Sequence, residues 1–319
     1  MFKHYEIGPY VYSKTLSYYE QIDHEKYKRE LIRYDSDKET LQGYYYPKEG
    51  STDLVVFTHG YHSMANAFIP LITSLVDNNY SVFAYDCSGV NNSSGKTTYG
   101  FLQELIDLDY TLNYLKNSNS IEYNDIFLVG HSVGGFASCA ILSLHDEIKG
   151  VVSISGLNNA FDLIYEKASQ FVGPVIGSLV KPVINTHQRR LFKDYCNYTA
   201  VEGINKSNIP VLLAQGLTDK TILPDKHAIT RYQDSITNSN VSYYFVDGKQ
   251  GGHNDILLSK NAIEYQEEID RNFKQLEKDY KKNKDFDKVI EFFENIDSNL
   301  YSEFNPELLT KIVNFLDAI

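Results

Sequence analysis

Residues 128–135 read Leu-Val-Gly-His-Ser-Val-Gly-Gly and set one serine between two glycines, directly after an apolar run. Gly130-His131-Ser132-Val133-Gly134 has the GxSxG form, which makes a sharp turn from a strand into a helix. Such a turn strains the backbone of its central residue, and side chains at the flanking glycines would collide with neighbouring backbone. Ser132 is therefore pushed out above a sheet edge. A serine hydroxyl is a poor nucleophile until a base takes its proton, so a histidine held by an acid is required, together with donors for the oxyanion.

The surrounding chain supplies the sheet. Short apolar runs bounded by turn residues fall at 53–60 (DLVVFTHG), 81–89 (SVFAYDCSG), 125–130 (DIFLVG), 151–156 (VVSISG), 209–216 (IPVLLAQG) and 241–248 (VSYYFVDG). They are mostly continuous in polarity, as strands buried on both faces of a parallel sheet must be. Helical periodicity at 65–77, 101–116 and 135–144 alternates with them, which predicts an α/β class, doubly wound and mostly parallel, with helices on both faces. Ligands of such sheets bind beyond the carboxyl ends of the strands. The alternation breaks at 157–207, which reads as an inserted helical cap with helices near 160–171 and 189–198, leaving 1–156 and 208–319 as the core. Within the cap, 171–184 is apolar but interrupted by Gly173, Pro174, Gly177 and Pro182. Phe171, Ile176 and Leu179 are its candidates for contacts with substrate.

Partners for the serine follow from strand ends. His253, in Gly251-Gly252-His253, lies just after the last strand, at the edge that carries Ser132. His4, His24, His145, His187 and His227 read as surface or capping residues, and His131 points along the elbow. Asp219 follows the strand that ends at Gly216, and the order Ser132, Asp219, His253 is the one this architecture uses. Asp247 and Asp255 are rivals read as structural. For the oxyanion, the backbone N–H groups of Tyr61 and Val133 are the candidates. His59 ties that loop to its neighbours, and His62 faces the pocket.

Composition narrows the function. Against 30 Lys plus Arg stand 42 Asp plus Glu, a net charge of −12 that disfavours nucleic acid and anionic lipid as partners. No run reaches membrane-spanning length, no signal-like stretch opens the chain, and Cys87, Cys139 and Cys196 form neither a disulfide framework nor a zinc site. These features imply a cytoplasmic protein without a membrane span. Beyond the last strand, Ile269, Phe273, Leu276 and Tyr280 keep a helical stripe among charges, and Asn305-Pro306 opens a core-facing helix over 308–316.

Taken together, the motifs resemble the α/β-hydrolase superfamily, of the capped subgroup that includes monoglyceride-lipase-like esterases and serine aminopeptidase-like hydrolases, over roughly residues 37–256. Asp86-Cys87-Ser88-Gly89 with Ser93, Ser94 and Gly95 is similar to that family's Asp-x-Arg-Gly-x-Gly-x-Ser-x-Gly loop, with Ser88 where arginine is usual. The resemblance implies hydrolysis of a small-molecule ester or acyl substrate through an acyl-enzyme on Ser132, with neither metal nor organic cofactor. An aminopeptidase-like serine peptidase and an acyltransferase use the same residues. A non-catalytic binding module on this scaffold is disfavoured because every position of the triad is filled.

Overall fold

A computed structural model describes residues 18–319, except residues 119 and 284 and the side chains of 167, 170–172, 174–176 and 178. Eight strands form one sheet: β1 (Glu30–Ser36), β2 (Glu39–Tyr46), β3 (Asp53–Thr58), β4 (Ser81–Asp86), β5 (Asp125–His131), β6 (Ile148–Ile154), β7 (Val211–Gly216) and β8 (Val241–Val246). Their order is β1-β2-β4-β3-β5-β6-β7-β8, parallel from β4 to β8 and antiparallel at β1-β2-β4. All six sequence-predicted strands are present.

Side chains alternate across a strand, so a run that is apolar at every position must serve two cores. In β3, Leu54 and Val56 enter one cluster while Val55 and Phe57 enter the other; in β5, Ile126 and Leu128 separate from Phe127 and Val129 in the same way. The first cluster is covered by α2 (Gln103–Ser118), α3 (Val133–Ala140) and α6 (Ala200–Ser207), through Leu105, Leu112, Phe136 and Ile204. The second is covered by α1 (Ile69–Asp77) and α10 (Pro306–Leu316), through Leu71, Leu75, Leu308 and Ile312. Asn305 caps α10 as its sequence predicts, its Oδ1 accepting from the N–H groups of Glu307 at 3.0 Å and Leu308 at 3.3 Å.

Between β6 and β7 the chain builds α4 (Ala160–Val172) and α5 (Pro174–Phe192) before α6 returns to pack beside α3. The second of these helices starts fifteen residues earlier than its periodicity predicts and runs through the proline-interrupted stretch. Pro174 sits in its first turn, where an absent N–H costs nothing, and Pro182 is carried inside it. Beyond β8, α7 (Lys260–Asn283) folds against α8 (Asp287–Glu294) and α9 (Ser298–Tyr301). Ile269, Phe273, Leu276 and Tyr280 line a third, separate cluster around Val289, Phe293 and Ile296. No helix among the described residues is long and apolar enough to cross a membrane.

Two histidines read from sequence as surface or capping residues are buried against carboxylates instead. His227 meets Glu166 of α4 at 2.5 Å. His145 meets Asp109 of α2 at 2.7 Å and Glu147 at 2.9 Å, and the Tyr195 hydroxyl also donates to Asp109. Burial opposes charge on His145, but its two carboxylate partners outweigh burial and hold the imidazole above its ordinary value. A group raised in this way contributes stability that is fully present below its unfolded value, about 6.5, and is lost as pH rises through the folded value. The gap in unfolding free energy between the native protein and His145→Gln, measured in urea, is therefore expected to be largest near pH 6 and to shrink as pH rises to 9. A gap that does not change with pH would show that the pair is not charged.

Candidate active site

Ser132, Asp219 and His253 follow β5, β7 and β8, parallel strands whose carboxyl ends share one edge. Ser132 has φ 59° and ψ −119°, a conformation unfavourable for an L-residue and held by its surroundings. Its N–H donates to the Ile154 carbonyl at 2.8 Å, and its own carbonyl accepts from Phe136 N–H at 3.1 Å. The glycines on either side permit close packing: a Cβ on Gly130 would lie 2.2 Å from the Gly134 carbonyl oxygen, and one on Gly134 would lie 2.1 Å from that of Thr58.

The His253 ring bridges the other two side chains. Its Nδ1 lies 2.7 Å from Asp219 Oδ2 and its Nε2 2.9 Å from Ser132 Oγ. Asp219 is 2% exposed, and its second oxygen accepts backbone N–H groups of Thr221 at 2.7 Å and Ile222 at 2.9 Å. These donors stabilise a carboxylate, and a carboxylate at Nδ1 requires the proton there, which leaves the Nε2 lone pair facing the serine. Of the rival acids, Asp247 caps its own loop through Gly248 N–H at 2.7 Å and is exposed. Asp255 is held above the ordinary carboxylate range by burial and by the Asp219 charge.

His131 has a second task that its place in the motif does not reveal. Its Nε2–H donates to the backbone carbonyl of His253 at 3.0 Å, and its ring stands 5.0 Å from the His253 ring. Burial first, then the neighbouring imidazole, push its pKa down to about 3, so it stays neutral and positions His253 without competing for its proton. His59 acts comparably on the opposite loop: Nδ1–H donates to the Gly60 carbonyl at 2.8 Å while Nε2 accepts Cys87 N–H at 3.0 Å. Where the family's arginine is usual, Ser88 donates to buried Asp107 through its N–H at 2.7 Å and its hydroxyl at 2.8 Å, and Asp86 is held by Tyr44, Ala65 and Asn91.

A cavity of about 440 Å³ opens over these groups. Ser132, His253, Tyr61, Val133 and His62 line it, so these sequence candidates come together. The backbone N–H groups of Tyr61 and Val133 donate to no other protein group among the described residues. Leu179 is 74% exposed and does not line the cavity, and the side chains of Phe171 and Ile176 lie outside the described residues. Phe68, Phe101, Leu163 of α4 and Ile222 line it without having been singled out, because nothing in a single sequence separates pocket apolar residues from core ones.

Known proteins share this fold. A family model described as serine aminopeptidase, S33, matches residues 50–201. The Pyrococcus furiosus esterase Pf2001 superposes with a TM-score of 0.56 at 21% identity, covering 73% of this chain and 88% of that one. Est1E from Butyrivibrio proteoclasticus, solved with ferulic acid bound, superposes with a TM-score of 0.54 at 16% identity over 70% and 90% of the two chains. The chain has the α/β-hydrolase fold. This hydrolase-fold chain is also 26% identical over 201 residues to the uncharacterized protein YfhR of Escherichia coli O157:H7, across 61% of this chain and 64% of that protein. With alpha/beta hydrolase domain-containing protein 17C of Xenopus tropicalis it shares 25% identity over 251 residues, 74% and 67% of the two. It thus spans less than two thirds of the length of YfhR.

Gly134 provides a direct test of the elbow. Gly134→Ala would press a methyl group against the Thr58 and His59 carbonyl oxygens, at 2.1 and 2.6 Å, and backbone cannot give way as a side-chain end does. The expected loss, read by urea unfolding, is about 3 kcal/mol or more; a loss within about 0.5 kcal/mol, the level of an ordinary surface change, would refute the close approach.

Proposed function

We propose that this α/β-hydrolase cleaves carboxylic esters by nucleophilic catalysis at Ser132. The observation that carries the reading is the continuous hydrogen-bonded chain Ser132–His253–Asp219, with distances of 2.9 and 2.7 Å and the histidine lone pair turned to the hydroxyl. His253 takes the Ser132 proton as Oγ bonds to the acyl carbon. The tetrahedral oxyanion is received by the N–H groups of Tyr61 and Val133. The intermediate collapses as His253 gives the proton to the departing alcohol oxygen, leaving an acyl-enzyme. Water, deprotonated by the same ring, then releases the acid and restores the serine. Asp219 keeps the proton on Nδ1 and offsets the imidazolium charge.

The family model that matches is a serine aminopeptidase, which makes peptide cleavage the second reading. An aminopeptidase must recognise an α-ammonium group, for which an acidic side chain is the natural partner, and the described residues lining the cavity include no Asp or Glu. That favours an uncharged ester. Residues 157–207 are proposed as the cap, with Leu163 of α4 over the cavity and α6 as its anchor on the core.

Ser132→Ala is expected to abolish fluorophosphonate labelling and to lower nitrophenyl ester turnover by on the order of 10⁴-fold or more while unfolding like the native protein. Asp219→Asn should cost turnover about 10⁴-fold with the fold intact. Retained hydrolysis in the first variant would remove Ser132 from the mechanism; a severe loss in Asp255→Asn with none in Asp219→Asn would move the acid.

A further inference from the structure

A second cavity, of about 330 Å³, lies beside the one over Ser132, and Ser63, Phe68 and Asn254 line both. One of its sides is the start of α1 with Pro70 and Leu71, and the other is the pair of segments carrying Leu257, Leu258 and Phe304. That far wall is built rather than incidental. Leu258 and Phe304 pair as an antiparallel bridge. Asn305 N–H donates to the Leu257 carbonyl at 2.8 Å, and Ser259 N–H to that of Glu303 at 2.8 Å.

The lining exposes more apolar than polar surface, its one charged side chain is the carboxylate Asp255, and it contains no Lys, Arg or His, so it offers no cation to a carboxylate or phosphate head. Gln266, one of its polar side chains, is already engaged, its Nε2 donating to the Tyr301 carbonyl at 2.7 Å. Each cavity alone sits at the low end of the roughly 300–1,000 Å³ that ligand sites occupy. Side by side they suit a molecule with a reacting centre and one extended apolar arm.

We infer that the second cavity is a subsite for the apolar chain of the substrate, which crosses at Ser63, Phe68 and Asn254 while its ester group stays at Ser132. The inference rests on the ester-hydrolase reading and assigns it a substrate class: esters with a long unbranched hydrocarbon arm. Phe68, 8% exposed and tilted against His131 at 5.6 Å, then sets the width of the passage.

Leu258→Trp and Ala67→Phe, two independent ways of filling the space, test it in the full chain without touching reacting groups. Native protein should hydrolyse nitrophenyl decanoate with a kcat/KM at least tenfold above that for the acetate. Each variant should lose at least tenfold on decanoate and less than twofold on acetate, with fluorophosphonate labelling of Ser132 unchanged. A parallel series of alkyl acetates shows whether the acyl or the alcohol arm occupies the subsite, according to which series suffers the loss. Calorimetric binding of 1-decanol keeps the two readings apart. No ester turnover, but decanol binding that both variants abolish, would sink the hydrolase reading and leave the subsite standing. Ester turnover that is flat across chain length, or equal losses on acetate and decanoate in variants that still label, would overturn the subsite and leave the hydrolase.

Discussion

The arrangement depends on one strained residue. Ser132 keeps φ at 59° because the helix behind it is pressed against β3: Gly134 meets the Thr58 carbonyl so closely that no Cβ fits, and the Ile154 carbonyl takes the Ser132 N–H. Conformations of this kind cost of order 1–3 kcal/mol and persist only where packing over-determines them. Here the packing is the sheet itself, since β3, β5 and β6 are its central strands and are buried on both faces. The large double core is what keeps the serine poised.

Around that point the loops are pinned by buried polar groups rather than by apolar contact. Asp107 gathers Ser36, Ser88 and Gln103; Asp86 gathers Tyr44, Ala65 and Asn91; His59 joins the Gly60 and Cys87 backbones. Burial raises Asp107 above its ordinary range despite the four hydrogen bonds its carboxylate accepts. Glu104 is wholly buried, and burial first, then the Asp107 charge, drive it well toward the neutral acid. Such groups give direction to loops that hydrophobic packing alone would leave undirected.

How much of this is readable without coordinates depends on the kind of force involved. Strands β3 to β8 announce themselves because both faces are apolar, and the three residues at Ser132, Asp219 and His253 sit where those strands end. The β1–β2 hairpin does not: β1 is exposed along much of its length, and the turn at Asp37-Lys38 carries no glycine although Asp37 has φ 47°. Nor can the sequence place His145, His227 and His131, because Asp109, Glu166 and the His253 carbonyl that they meet lie 36, 61 and 122 residues away. Helix α5 is misjudged for a local reason, since prolines and glycines that normally end helices fall at its first turn and inside it.

The helices α7 to α9 have their own apolar cluster, separate from the two that flank the sheet, yet Gln266 and Tyr301 reach the second cavity, as do Ser302 and Phe304 just beyond α9. A substitution in that hairpin can widen, narrow or tilt one wall of the void while leaving the elbow, its strands and their strain untouched. The shape of that wall and the geometry of the elbow are in that sense mechanically uncoupled, since each is held by a different apolar cluster.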